Sequence, residues 1–254
     1  VRSYGGLELR NFIVACGRNR LGARLASVVN RPVVLVHGWG GSFSTTWQAS
    51  GFADILAESG REVIGVDLLG HGTAPKPHDP DDYADLTDRI LAVLPSGPVD
   101  AVGFSLGAMT LLRLAIEHPD RLARLVLAGI GRNVVEPRDE ATHSRLVAAL
   151  EGRPLDDDVL SRVFAQYADA HGNDRAALTA VLKRPAQPFD ADGLARVRAQ
   201  VLILVGDRDF AGPADPLSAL IPGAQSITLP RCDHFATTEN FGFFDATLSF
   251  LDAE

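Results

Sequence analysis

The chain has 254 residues, of which 46% are apolar, and a formal net charge of -8 at pH 7. This length suffices for one large globular domain, or for one domain with an insertion. Because an acidic chain repels phosphate backbones and anionic lipids, we expect neither nucleic acid nor membranes as partners. No run approaches the roughly 20 apolar residues that span a bilayer, and no signal-peptide pattern opens the chain. We therefore predict a cytoplasmic protein.

The two cysteines, Cys16 and Cys232, lie near opposite ends of the chain. Two cysteines do not make the disulfide framework of a small secreted protein, so we expect two separate reduced thiols. They are also too few for a structural zinc site, which usually takes about four cysteine or histidine ligands. We therefore predict no metal site.

Short apolar runs alternate with helical patterns along most of the chain. The apolar runs are Pro32–His37, Glu62–Leu69, Val99–Phe104, Leu125–Ala128, Val201–Val205 and Ala224–Leu229. The helical patterns that alternate with them are Phe52–Ser59, Asp85–Leu94, Leu106–Glu117 and Glu239–Leu251. Continuous apolar strands indicate burial on both faces. The order therefore predicts an α/β fold with a doubly wound, mostly parallel sheet. Leu7–Ala15 is a candidate early antiparallel strand, and Gly17–Asn30 is ambiguous.

Residues 133–200 break this alternation. They contain helical patterns at Arg138–Leu150, Asp156–Ala168 and Asp174–Leu182 and no convincing strand. Because a crossover between parallel strands needs only about a dozen residues, we predict a helical insertion that acts as a lid. The core domain would then comprise residues 1–132 and 201–254. Ordinary crossover helices are the alternative.

The segment Gly103–Gly107 (Gly-Phe-Ser-Leu-Gly) stands where a predicted strand gives way to a predicted helix. That context is the one in which a G-x-S-x-G motif presents a nucleophilic serine. The sharp turn strains the backbone at Ser105, and the flanking glycines remove side chains that would clash. The turn also places Ser105 at a helix N-terminus, where backbone N–H groups favour developing negative charge. We predict Ser105 as the nucleophile.

A serine hydroxyl needs a base, and the base needs an orienting carboxylate. His234 follows the last apolar run and precedes the last helical pattern, which suits a mobile imidazole. Asp207 and Asp209 both follow the strand Val201–Val205. We favour Asp209 because the chain must first turn at Gly206, and a residue further out reaches the histidine better. The order Ser105, Asp209, His234 also resembles the nucleophile–acid–base order typical of α/β-hydrolases.

Two backbone N–H groups are expected to bind the oxyanion. One belongs to Leu106, directly after the nucleophile, and the other to the glycine-rich turn after Pro32–His37. Glycines there let the backbone approach a substrate carbonyl, and Trp39 N–H is the candidate donor. His37 is the rival base. Because His234 has the expected place in the chain order, we expect His37 to brace the loop instead.

Five segments together resemble the α/β-hydrolase superfamily, in its serine-nucleophile branch with a lid. They are His37–Gly41, Asp67–Gly72, Gly103–Gly107, Gly206–Asp209 and Asp233–Phe235, and they span nearly the whole chain. The resemblance implies Ser105, Asp209 and His234 as the catalytic triad. It also implies Trp39 and Leu106 as oxyanion donors, and no cofactor.

The same resemblance also argues against some of the reactions known in this superfamily. Haloalkane dehalogenases and epoxide hydrolases of this superfamily carry aspartate at the place of Ser105, which argues against both. C–C bond hydrolases of the aromatic meta-cleavage pathways typically carry His-Gly-x-Gly-Pro-Gly and a tryptophan after the base. Gly41 and Phe235 stand in those places here, which weakens that interpretation. Cofactor-free haloperoxidases share the triad, so a haloperoxidase side activity stays open.

We predict a carboxylesterase of bacterial composition that cleaves a small or medium ester through an acyl-enzyme, as a monomer or homodimer. Thioesterase, lactonase and C–C bond hydrolase are the alternatives with the same machinery. A non-catalytic ligand-binding protein of the same fold is the alternative of another class. Phe164 and Trp47 are candidates either for an acyl pocket or for the core.

Overall fold

The computed structural model describes residues 30–137, 139–153 and 158–252. Its centre is a six-stranded sheet in the order β2-β1-β3-β4-β5-β6, in which every neighbouring pair is parallel. The strands are β1 (Val33–Val36), β2 (Val63–Val66), β3 (Val99–Phe104), β4 (Leu122–Ala128), β5 (Gln200–Gly206) and β6 (Gln225–Leu229). Each predicted apolar run overlaps one of them, so the predicted sheet is confirmed. The candidate strand Leu7–Ala15, residues 17–29 and Cys16 lie outside the described residues.

Helices lie between these strands and after the last of them. They are α1 (Phe52–Glu58), α2 (Asp88–Leu91), α3 (Leu106–Glu117), α4 (Arg132–Val135), α5 (Glu140–Leu150), α6 (Val159–Ala168), α7 (Arg175–Lys183), α8 (Ala191–Leu194), α9 (Asp215–Ser218) and α10 (Phe241–Phe250). Other helical turns lie at Phe43–Gln48, Pro80–Tyr83 and Thr237–Glu239. Helices α5, α6 and α7 each begin after an aspartate, whose carboxylate accepts hydrogen bonds from the first backbone N–H groups.

The sheet is covered on both faces, as its continuous apolar strands require. In β1, Val34 and Val36 pack toward α2 and α3, whereas Val33 and Leu35 pack toward α1 and α10. All four side chains are fully buried. Burial of alternate residues on opposite faces explains why this strand has no polar position.

The winding of the sheet reverses beside β1. The chain runs from β1 outward to β2, returns past β1 to β3, and then continues in one direction to β6. The carboxyl ends of β1 and β3 therefore flank the point of reversal, with Val36 opposite Gly103. In open α/β sheets, ligands bind at this position.

The segment between β4 and β5 contains α4 to α8, and its described residues, which omit 138 and 154–157, include no strand. Helices α5, α6 and α7 share a small apolar cluster of their own, in which Leu150, Ala168 and Leu178 are buried and Trp39 joins from the β1 loop. The division into core and lid stays a prediction. None of the described helices has the length and apolar character to cross a membrane.

A buried ion pair lies near the amino ends of the central strands. Arg61 precedes β2, and its Nη2 lies 2.5 Å from Oδ2 of Asp100 in β3. The same guanidinium donates to the backbone carbonyls of Arg31 and Leu251. Both charged side chains are at most 5% exposed. This pair therefore ties β2, β3 and the end of α10 together away from the carboxyl edge.

Candidate active site

Ser105 occupies the sharp turn between β3 and α3, with φ 51° and ψ -111°. A positive φ is strained for a residue with a side chain, so the surrounding structure must hold it. The backbone N–H of Ser105 donates to Ala128 O (2.8 Å), and its carbonyl accepts from Met109 N (3.0 Å). The turn is thus fixed on one side by β4 and on the other by α3.

The two flanking glycines are required by close backbone contacts. A Cβ on Gly103 would lie 2.7 Å from both N and Cα of Ala108 in α3. A Cβ on Gly107 would overlap the carbonyl oxygens of Val36 and His37. The glycines of the sequence motif therefore allow α3 to start directly against β1 and β3.

A continuous hydrogen-bonded chain joins the three predicted catalytic side chains. His234 Nε2 lies 3.0 Å from Ser105 Oγ, and His234 Nδ1 lies 2.9 Å from both carboxylate oxygens of Asp209. The side chain of Asp209 is fully buried and that of His234 is 6% exposed. A carboxylate beside Nδ1 holds the proton on that nitrogen, which leaves the Nε2 lone pair facing the hydroxyl. The arrangement can therefore remove the proton of Ser105.

Asp207, the alternative acid, lies elsewhere. Its Oδ1 accepts a hydrogen bond from Cys232 N (3.1 Å), and backbone hydrogen bonds from Arg231 and Cys232 lower the pKa of this exposed carboxyl. The backbone of Arg208 donates to Cys232 O, which ties the two loops together again. Asp207 thus braces the loop that carries His234, while Asp209 contacts the imidazole.

Three phenylalanine rings surround the imidazole of His234. The ring centroids of Phe210, Phe104 and Phe235 lie 4.3, 4.9 and 5.6 Å from that of His234. Each phenylalanine is the immediate sequence neighbour of one of the three predicted catalytic residues. Sequence reasoning missed Phe104 and Phe210, although their adjacency to Ser105 and Asp209 was a usable signal. The rings leave the imidazole little contact with water.

The turn after β1 lies directly beside Ser105. Gly41 N donates to Gly38 O (3.2 Å), and Gly40 has φ 74°, which is typical of a type II turn. A Cβ on Gly38 would lie 3.4 Å from Ser105 Cβ. The predicted donor Trp39 is the second residue of this turn. The structure thus brings the turn that contains Trp39 next to Ser105.

Leu106, the other predicted donor, is the first residue of α3 and is 3% exposed. The first N–H groups of a helix have no partner within the helix. The backbone N–H of Leu106 is therefore one of the groups that α3 offers beside Ser105.

His37, the rival base, is fully buried beneath the turn. Leu68 N donates to His37 Nε2 (3.1 Å), and His37 Nδ1 lies 2.7 Å from Gly38 O. The ring of His71 lies 5.0 Å from that of His37. Burial lowers the pKa of His37 and lowers that of His71 to about 3. Both imidazoles are thus neutral near pH 7, and His37 has the expected loop-bracing position.

The two candidate pocket residues have different surroundings. Trp47 is fully buried and packs against Phe52 and Phe243, so it belongs to the core. Phe164 in α6 is half-buried, stacks on Trp39 at 4.9 Å and meets the edge of Phe235. Only Phe164 therefore lies near the candidate site.

Within residues 30–137, 139–153 and 158–252, no three His, Cys, Asp or Glu side chains are grouped as a metal site would need. Cys232 is a buried free thiol, and burial raises its pKa.

The model of the alpha/beta hydrolase family matches residues 33–246 of this sequence. The chain belongs to this family. It is 29% identical over 248 residues to a 2-hydroxy-6-oxo-6-(2'-aminophenyl)hexa-2,4-dienoic acid hydrolase of Metapseudomonas resinovorans, covering 87% of this chain and 84% of that one. It is 31% identical over 227 residues to a pimeloyl-[acyl-carrier protein] methyl ester esterase of Methylococcus capsulatus, covering 80% and 87%.

Among solved structures, the enol-lactonase of Burkholderia xenovorans LB400 superposes with a TM-score of 0.66 at 23% identity, covering 88% of this chain and 92% of that one. This similarity supports the α/β-hydrolase fold, which the sequence motifs had indicated. The protein is therefore a member of a family of hydrolases with the fold predicted for it.

Proposed function

We propose that this hydrolase cleaves carboxylic esters through an acyl-enzyme, with Ser105 as the nucleophile. The observation that carries the proposal is the unbroken hydrogen-bonded chain from Ser105 through His234 to the buried Asp209. A strained turn at the N-terminus of a 12-residue helix presents this serine.

In the first half of the reaction, Ser105 Oγ attacks the ester carbonyl while its proton moves to His234 Nε2. Asp209 stabilises the resulting imidazolium, and the N–H groups of Trp39 and Leu106 hold the negative oxygen of the tetrahedral intermediate. Collapse of that intermediate breaks the ester C–O bond, and the imidazolium gives its proton to the departing alkoxide. The acyl group then remains on Ser105.

In the second half, a water molecule takes the place of the alcohol. His234 removes a proton from this water as it attacks the acyl-enzyme, and later returns the proton to Ser105 Oγ. The products are a carboxylic acid and the free enzyme. No step requires a cofactor.

Aromatic side chains around the triad favour an apolar acyl or alkoxy group of small or medium size. Phe210 and Tyr167 are 46% and 40% exposed, and the rings of Phe164 and Phe235 are in contact with each other nearby. The net charge of -8 supports a small molecule rather than nucleic acid as partner. The similarity to a methyl ester esterase supports the same bond type. We retain the prediction of a cytoplasmic monomer or homodimer.

C–C bond hydrolysis is the second candidate, because one relative is a hydrolase of an oxo-dienoic acid. Gly41 and Phe235 stand where such enzymes typically carry proline and tryptophan, which favours the ester. Thioesters and lactones would use the same acyl-enzyme route.

The test is a series of p-nitrophenyl esters of increasing acyl length, run beside thioester, lactone and oxo-dienoic acid panels. We expect ester turnover, which Ser105→Ala lowers by about 10⁴-fold or more. Ser96→Ala, in an exposed loop before β3, is the matched control and should leave turnover unchanged. Ester turnover that survives in Ser105→Ala would falsify the proposal. A wild-type chain that ignores every panel and a fluorophosphonate probe would indicate a non-catalytic binding protein.

A further inference from the structure

The side-chain amide of Asn173 bridges two parts of the chain beside Ser105. Its Nδ2 donates one hydrogen to Gly40 O (2.8 Å), in the turn after β1, and the other to Tyr167 O (2.8 Å), at the end of α6. Asn173 itself is half-buried in the loop between α6 and α7. One nitrogen thus links the oxyanion turn, Gly38–Gly41, to the helical segment between β4 and β5.

Other contacts join the same two parts. Trp39 Nε1 donates to Leu178 O in α7 (3.1 Å), and the Trp39 ring stacks on Phe164 in α6 at 4.9 Å. A Cβ on Gly40 would lie 3.3 Å from Tyr167 Cβ. Each part therefore donates a side-chain hydrogen bond to the other: the oxyanion turn donates to α7, and the α6–α7 loop donates to the turn.

The oxyanion turn depends on such outside support because of its composition. Three of its four residues are glycines, which restrict their own backbone little. An oxyanion donor must nevertheless stay within a fraction of an ångström of its working position, because an oxyanion hole acts through preorganisation. The hydrogen bond from Asn173 to Gly40 O holds the peptide plane that follows Gly40. The hydrogen bond from the Trp39 indole to Leu178 O holds the side chain of Trp39.

We propose that Asn173 is a positioning residue for the oxyanion turn, and that docking of the α6–α7 segment holds the Trp39 N–H in its catalytic place. The inference rests on the ester hydrolysis proposed above. It assigns to this segment a part in transition-state stabilisation, in addition to any role as a cover. Asn173 acts through the turn and does not itself contact the reacting atoms.

Loss of the bridge should affect the transition state and spare ground-state binding. We therefore expect Asn173→Ala to lower kcat on the best p-nitrophenyl ester by about 10- to 100-fold, with KM within about twofold. The near-isosteric Asn173→Asp lacks both donated hydrogens, so its kcat should fall at least as far. Affinity for phenylboronic acid, which forms a tetrahedral adduct with a catalytic serine, should fall by the same factor as kcat.

Gln166→Ala, which removes an exposed amide on α6, is the matched control and should leave all three quantities unchanged. Fluorophosphonate titration of active sites makes each kcat refer to competent enzyme, so partial misfolding is not mistaken for a catalytic effect. Undiminished kcat in both Asn173 variants, or a rise in KM alone, overturns this inference while ester hydrolysis stands. A wild-type chain that neither turns over esters nor reacts with the fluorophosphonate overturns the proposed function and the inference together.

Discussion

The pair Asp209 and Asp207 offers a sharp test of the site, because the two aspartates lie two residues apart and differ in surroundings. Asp209 Oδ1 accepts a hydrogen bond from Ala211 N (2.8 Å), and both carboxylate oxygens lie 2.9 Å from His234 Nδ1. In Asp209→Asn, the amide oxygen should keep the bond from Ala211 N. The amide NH₂ then faces Nδ1, which must become an acceptor, so the ring proton moves to Nε2.

That tautomer points an N–H at Ser105 Oγ and cannot accept its proton. The variant also lacks the negative charge that stabilises the imidazolium, and the fully buried position of Asp209 keeps water from replacing it. In the serine protease template, the equivalent change lowers kcat by about 10⁴-fold. At about 1.36 kcal/mol for each factor of ten, this corresponds to about 5.4 kcal/mol of transition-state free energy. We expect a loss of that order here.

The assay is kcat/KM on the best p-nitrophenyl ester, with circular dichroism to confirm folding. Asp207→Asn is the matched control, because its amide oxygen can still accept from Cys232 N. Asp207 is exposed, and substitutions at exposed positions usually change the free energy of unfolding by no more than about 0.5 kcal/mol. Asp207→Asn should therefore stay folded, and its kcat/KM should stay within about threefold of that of wild type. If Asp209→Asn kept a tenth of the activity, or if Asp207→Asn lost as much, the assigned acid would be wrong.

Two further predictions concern stability. The pKa of buried His71 is lowered to about 3 in the folded chain, against an ordinary value near 6.5, so the unfolded chain binds a proton that the folded chain refuses. The free energy of unfolding should therefore fall as the pH drops below 6.5, and this residue should account for about 1.4 kcal/mol of the loss at pH 5.5. Urea unfolding of wild type and His71→Asn at pH 7.5 and 5.5 measures this contribution. An equal change in the free energy of unfolding between the two pH values in both proteins would contradict it. Arg61→Ala leaves the buried Asp100 without its partner and should cost about 3–5 kcal/mol in the same assay, whereas a cost below about 1 kcal/mol would show that water or another group solvates Asp100.

The strands and longer helices could be predicted because the same burial pattern continues along the whole element. Val99–Phe104 and Leu106–Glu117 have the predicted bounds, since the glycine motif fixes the point where one becomes the other. β4 starts at Leu122 rather than Leu125, because Arg124, a charged residue within the strand, interrupts the apolar run. α2 is shorter than its pattern, and helices of four residues such as α8 carry too few turns to show a period.

The candidate site likewise contains residues whose meeting could be predicted from the sequence and a contact that could not. Ser105, Asp209 and His234 each follow a parallel strand, and the carboxyl ends of such strands share one edge, so chain order sufficed to predict that they meet. The contact of Asn173 with Gly40 joins residues 133 positions apart and depends on how the α6–α7 loop lies on the core. No local pattern encodes that placement.

This difference has a consequence for specificity. The register of the parallel sheet holds the loops that carry Ser105, Asp209 and His234. The α5–α6 segment, unlike α7, which packs Ala180 and Val181 into the main core, is held on a small cluster with few fully buried side chains. Changes in that segment therefore cost less buried area than changes in the sheet. It can change its side chains while Ser105, Asp209 and His234 stay in place, provided that its bonds to Gly38–Gly41 survive. That freedom fits relatives at 29% and 31% identity that bear the names of a dienoic acid hydrolase and a methyl ester esterase.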